Sequence, residues 1–250
     1  MLFRSLCLSL LLLTACGSLS SFRVLAPGAF DMDQAEPNVY VEPTMSMAQR
    51  EQLLRQINLG RAQVERFFGE LQTTPYFVAC ATPACALRFG SHGERAAAFG
   101  DQAIRLSHNG LTAPLVAHEW VHAEVYRRVG GAWKVGRVPR WFDEGLAVVI
   151  ADEARHSEEN WREIQRRGQA TPALAELVSR SDWVAAVVRY GEPNVDDPNN
   201  LRVVYSTAGH ELRRWLACAG PAGTLALLGA VRAGEPFAAA YGRLGGRCVG

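Results

Sequence analysis

The run His118-Glu119-Trp120-Val121-His122 constrains this chain more than any other feature. Histidines four residues apart on a helix lie on one face, about 40 degrees apart around the axis, so both imidazoles can reach a single metal ion. The flanking residues predict that helix. From Leu111 the apolar positions recur at helical spacing, Thr112 can cap, Pro114 is tolerated in the first turn, Arg127 and Arg128 suit the last turn, and Gly130 ends it. Glu119 is offset by about 60 degrees from His122 on the same side, within reach of a water at the metal without being a ligand, which suits a proton acceptor. Two helical histidines can equally be hydrogen-bonded core or surface groups, so the reading needs a third donor.

Residues 140–147 read Arg-Trp-Phe-Asp-Glu-Gly-Leu-Ala and predict a second buried helix from Arg140 to about Asp152, after a loop containing Gly131, Gly136 and Pro139. The W-x-x-E-G-x-A arrangement, here Trp141, Glu144, Gly145 and Ala147, resembles the second metal helix of gluzincin metallopeptidases, the clan that includes thermolysin-like enzymes and the large aminopeptidases. The resemblance implies one zinc ion per chain held by His118, His122 and Glu144, with the fourth position left to water and Glu119 as general base. Small residues beside the carboxylate would permit close helix packing. Asp143 has three readings: a ligand in place of Glu144, a carboxylate that orients a histidine, or a group facing water. The residues after His122 (Ala123, Glu124, Val125, Tyr126) lack the H-x-x-G-x-x-H extension of metzincins, so the third ligand comes from elsewhere.

Tyr205, sixty-one residues after Glu144, resembles in placement the tyrosine of gluzincin aminopeptidases that hydrogen-bonds the developing oxyanion. A core aromatic near a helix start is the competing reading, and His210 is the runner-up donor. The remaining histidines, His92, His108 and His156, lack partner spacing and receive no role. The same resemblance implies that the strand Ala103 to Ser107 pairs with an extended peptide. No G-x-M-E-N segment precedes the metal helix. The expected activity is therefore zinc-dependent peptide-bond hydrolysis by an endopeptidase or processing peptidase acting on a peptide or protein substrate. The alternative is a non-enzymatic envelope lipoprotein that uses the fold as a binding or assembly module.

The amino terminus carries Arg4, an apolar run from Leu6 to Leu13 that is too short to span a bilayer, and then Leu13-Thr14-Ala15-Cys16. That tetrapeptide resembles the bacterial lipobox, which implies a signal peptide over 1–15, lipidation of Cys16 and a membrane-anchored protein of the bacterial envelope. Gly17, instead of an aspartate, points by the same resemblance to the periplasmic face of the outer membrane. An ordinary secretory signal is the competing reading, and either one exports the chain. Once Cys7 is removed and Cys16 lipidated, Cys80, Cys85, Cys218 and Cys248 remain, an even number for an oxidising compartment. The favoured pairing is Cys80 with Cys85, around Pro83, and Cys218 with Cys248. Net charge is +1 and the only lysine is Lys134; no basic block marks a nucleic-acid partner.

The fold expectation is α+β: a small N-terminal mixed sheet with the H-E-x-x-H helix, then a mainly helical C-terminal subdomain. Residues 16–44 read as a tether and extended entry segment, and the domain proper as 45–250, divided at 152/153. Ser46 and Gln49 form a capping-box pair ahead of an amphipathic helix reaching about Leu71. Strands are expected at Tyr76–Ala79, Ala86–Phe89 and Ala103–Ser107. Further helices are expected near Glu158–Arg167, Pro172–Val178, Arg202–Ala217, Ala222–Ala233 and Pro236–Leu244, with the cleft between the two parts.

Overall fold

A computed structural model describes residues 22–191 and 202–245. Cys16, the expected signal segment over 1–15 and Cys248 lie outside the described residues. Strands β1 (Asp33–Glu36) and β2 (Val39–Val41) form an antiparallel hairpin whose turn holds Asn38 in the left-handed region. Residues 33–41 are therefore part of the sheet, although the sequence placed them in an entry segment ahead of the fold. Helix α1 (Met47–Phe68) starts at the expected capping box, with Ser46 N donating to Gln49 Oε1 and Gln49 N to Ser46 Oγ.

Strand β3 (Tyr76–Ala79) runs parallel to β2 and leads into helix α2 (Pro83–Arg88). The expected strand over Ala86–Phe89 is thus corrected: Thr82 caps, its hydroxyl accepting from Cys85 N, and Pro83 occupies the first turn, where its missing N–H costs nothing. The Cys80–Cys85 disulfide joins β3 to α2. Strands β4 (Ala96–Phe99) and β5 (Ala103–Leu106) complete a mixed five-stranded sheet in the order β1-β2-β3-β5-β4. β5 is paired on both sides, to β3 and to β4. The strand expected to receive a peptide is therefore interior; among the described residues the edge strands are β1 and β4, and β4 is the one that lines the cleft.

Both faces of the sheet are covered, which is why β3 reads as a continuous apolar run; β5 is interrupted only by Arg105, which is buried and donates to Phe89 O and Glu94. Phe77, Ala79, Ile104 and Leu106 pack with α1 and with Val116 and Trp120. Val78, Cys80 and Ala103 pack with Val24, Met32 and Phe89. Helix α3 (Ala113–Val129) lies against α1 and β4 and ends at Gly130 in the left-handed conformation. Thr112 makes no side-chain cap; the Ala113 N–H donates instead to Gln56 of α1.

A single turn, α4 (Ala132–Val135), links α3 to α5 (Arg140–Ala151), which packs on α3. Then follow a 3-10 turn at Ala154–His156, α6 (Glu158–Arg166), a 3-10 turn at Leu174–Leu177 where a longer helix was expected, α7 (Arg180–Tyr190), α8 (Arg202–Ala233) and α9 (Phe237–Gly245). The sequence reading did not anticipate α7. The two helices expected over 202–233 are one run broken at Gly220, ahead of Pro221. α8 is long and apolar enough to cross a membrane by length and composition, yet Val204, Ala208, Leu212, Leu227 and Leu228 are buried in the common core.

Gly145 sets the distance between α5 and α8. A Cβ there would stand 2.6 Å from Ala208 O and 2.9 Å from a Leu212 methyl. Only a residue without a side chain allows this approach.

Candidate metal centre

Helix α3 presents His118 and His122 on one face, and α5 brings Glu144 against them. One donor atom from each of these three residues lies within 4.8 Å of the others, a group that could hold a metal ion. Glu144 Oε2 is 3.2 Å from His118 Nε2 and 3.6 Å from His122 Nε2. Ligands about 2.0–2.1 Å from a tetrahedral ion stand roughly 3.3 Å apart, and the two separations from Glu144 suit such an ion. Glu144 and His118 are buried, and His122 is nearly so.

The outer sides of the imidazoles are also engaged. His118 Nδ1 meets Glu153 Oε1 at 2.6 Å, and His122 Nδ1 stands 2.9 Å from Asp143 Oδ1, a short contact outside hydrogen-bond alignment. Each ring therefore turns Nδ1 toward a carboxylate and Nε2 toward Glu144. A carboxylate on the far nitrogen fixes the tautomer and the ring orientation of a metal-binding histidine. Of the three readings of Asp143, its position beside His122 and its burial match the orienting carboxylate.

Arg140 holds the other oxygen of Glu144, with Nη2 on Oε1, and lies 3.4 Å from Asp143. Burial opposes ionisation of Glu144, but Arg140 and the two histidines outweigh it and hold the carboxyl well below its usual range. Burial likewise opposes charge on His118, and Glu153 with Glu144 still raises it well above an ordinary imidazole. In His122 the same opposition, overcome by Asp143 and Glu144, gives a value of about 9. These are imidazoles whose neighbours favour positive charge at the site.

Glu119 lies in the same cleft, 8% exposed, and makes no hydrogen bond or ion pair among the described residues. Tyr205 on α8 is placed there too, its ring 6.1 Å from that of His118. It is stacked on His156 at 5.0 Å and meets Trp183 edge-on at 5.0 Å. Burial, and then the Glu144 charge, push its hydroxyl well above the ordinary phenol value, so it stays a donor. His210 is not brought to the site: it stacks on Trp161 and its Nδ1 is 3.0 Å from Glu158.

Sequence reasoning missed Arg140, Glu153, His156 and the α7 wall. The Arg140/Glu144 pair has the i,i+4 spacing of a helical ion pair and was visible in principle. Glu153 and His156 follow the end of α5 in an irregular turn, where no spacing rule applies. No protein-family model, curated protein or solved structure matches the chain.

Proposed function

We propose that this protein is a zinc-dependent peptidase of the gluzincin type. The observation that carries the reading is the convergence of His118 Nε2, His122 Nε2 and Glu144 Oε2 in one cleft with a carboxylate, Glu119, that makes no hydrogen bond or close ion pair among the described residues. Two imidazoles and one carboxylate are a donor set suited to zinc and leave a coordination position open. Zinc bound there would supply Lewis acidity, activating water at neutral pH and polarising a substrate carbonyl.

The chain's own residues supply the remaining chemistry. Glu119 accepts the proton of the attacking water and returns it to the leaving amine, since its carboxylate faces the cleft without a competing donor. Tyr205, kept protonated by burial, donates to the oxyanion that develops on the carbonyl. Glu153 and Asp143 hold the rings of His118 and His122, and Arg140 restrains Glu144. The free edge of β4 along the cleft offers unpaired backbone groups to an extended polypeptide, which favours a peptide substrate. Attachment to the bacterial envelope through Cys16 belongs to the same proposal. The binding-module alternative gains nothing from a cleft in which Glu119 stays unpaired.

Elemental analysis of the purified protein beside His122→Ala and Glu144→Ala tests the site. About one zinc per chain, lost in both variants, is the expected result, with hydrolysis of an unfolded polypeptide that Glu119→Gln abolishes. Absence of zinc from zinc-supplemented, folded protein would overturn the reading.

A further inference from the structure

Helix α7 turns Trp183, Ala186, Val187 and Tyr190 inward, as a surface helix does, yet it carries two further valines, Val184 and Val188, outside that stripe. Trp183, Val184, Val187 and Val188 recur at the spacing of one helix face, and all four line the cleft that holds His118, Glu119 and Glu144. Trp183 is buried against Tyr205, but Val184 is 56% exposed and Val188 is 81% exposed. Valine is a poor helix former, and burying one releases about 1.5 kcal/mol or more, so local propensity gives no reason for an exposed pair on this face. Of the polar residues of the helix, Asp182 closes the capping box with Ser179 and Arg189 pairs with Glu176, while Arg180, at its first turn, lines the cleft beside the valines.

The other wall of the cleft is β4, whose outer edge has no strand partner among the described residues and whose Ala96, Ala97 and Ala98 are small. The cleft has a volume of about 840 Å³. Its two walls make different demands on an occupant. A hydrocarbon would satisfy the valines and leave the backbone groups of β4 unpaired, whereas an extended polypeptide with an apolar side chain satisfies both.

We propose that α7 is the specificity wall of the cleft. Its valines seat a bulky apolar side chain (Leu, Ile, Phe or Met) of an extended polypeptide, next to the bond to be cut. The proposal rests on the peptidase reading, to which it adds the substrate class. In a hydrophobic subsite the presence or absence of single methylene groups is worth roughly 10- to 200-fold in discrimination, so the preference is measurable. A negative charge at position 188 or 184 would abolish it without touching the metal centre.

The test uses the zinc-supplemented full chain and a library of unfolded synthetic decapeptides with one randomised position, with cleavage sites read by mass spectrometry. Wild type is expected to favour Leu, Ile, Phe and Met over Asp, Glu and Lys by at least about tenfold at one position beside the cut. Val188→Asp and Val184→Asp, checked for unchanged melting temperature and zinc content, should lose that preference, and Val188→Leu should keep it.

In parallel, immobilised Glu119→Gln protein, with and without Val188→Asp, is used to capture the same peptides. Cleavage without an apolar preference, or with one that both aspartate variants retain, overturns the proposal and leaves the peptidase reading standing. Capture of apolar peptides that depends on Val188, with no cleavage by wild type, does the reverse: the α7 surface stands and hydrolysis falls. Neither capture nor cleavage removes both.

Discussion

Glu119 and Glu124 sit five residues apart on α3, about 140 degrees around its axis, and the chain treats them in opposite ways. Glu124 is fully buried and takes four hydrogen bonds, from Gln72 N, Thr73 N, Thr73 Oγ1 and Arg128 Nε, at 2.7 to 2.9 Å. Glu119 is almost as buried and has none among the described residues. A buried carboxylate is expensive unless paired, and the fold shows at Glu124 that it can assemble the donors. Leaving Glu119 without them reserves its lone pairs for a molecule in the cleft. On the proposed function, one face of the helix serves stability and the other the reaction.

The sharpest way to break this comparison is to neutralise each carboxylate in turn. Glu119→Gln keeps the shape and removes the proton acceptor. Hydrolysis should fall by about 10²- to 10⁴-fold with zinc content and denaturation midpoint unchanged, as steady-state rates and elemental analysis would read. A loss under tenfold would remove Glu119 from the chemistry. Glu124→Ala should do the opposite: about 3–5 kcal/mol of stability lost in urea titration, because Arg128 and Thr73 lose their common acceptor, with zinc still bound by whatever fraction is folded. If the two variants exchanged these phenotypes, the division of the helix into two faces would be wrong.

Smaller effects sharpen the picture around the ligands. Glu153→Gln leaves His118 without its charged partner and should weaken zinc binding about 10- to 100-fold, measured against a chromophoric chelator. An unchanged affinity would reduce the 2.6 Å contact to a packing detail.

The smallest expected effect is one of pH. Without a metal, His122 titrates at about 9 and His118 lies well above the ordinary imidazole range. Zinc requires both rings neutral, so its affinity should rise about tenfold per pH unit for each proton displaced, until the pH passes about 9. The chelated protein should run the other way. A raised imidazole pKa stabilises the fold fully below the unfolded value of about 6.5, and that contribution disappears as pH climbs through about 9. Melting temperatures of loaded and chelated protein at pH 6.5 and 9 should therefore diverge, and parallel changes would contradict the shifts.

Where the sequence could be read, the signals were local and periodic. The capping box at Ser46, the helix ending at Gly130 and the buried helix from Arg140 all rest on spacings within a few residues. His118, His122 and Glu144 were legible because helical spacing fixes two of them and a motif supplies the third. The parts that stayed hidden depend on long-range pairing. β4 is three alanines and a phenylalanine, weak in strand propensity, and becomes a strand only by pairing with β5. β1 and β2 are short and lie in a stretch rich in proline and acidic residues. Ala86–Phe89 looked like a strand because its apolar content outweighed the Thr82-Pro83 helix start. α7 carried an S-x-x-D cap at Ser179 and Asp182, but its valines obscured the helical pattern.

The contact at Gly145 has a consequence for how this site can vary. Glu144 is its immediate neighbour on one helix, and Tyr205 lies one turn before Ala208 on the other, so a single glycine gauges the gap between a carboxylate of the candidate metal centre and the phenol in the same cleft. These two groups are thus mounted on a joint between two helices and not on adjustable loops. Changes in loop length would leave that gap alone, while one added methyl group at position 145 would open it. The tolerance of the whole centre is therefore set at a residue that contributes no side chain to it.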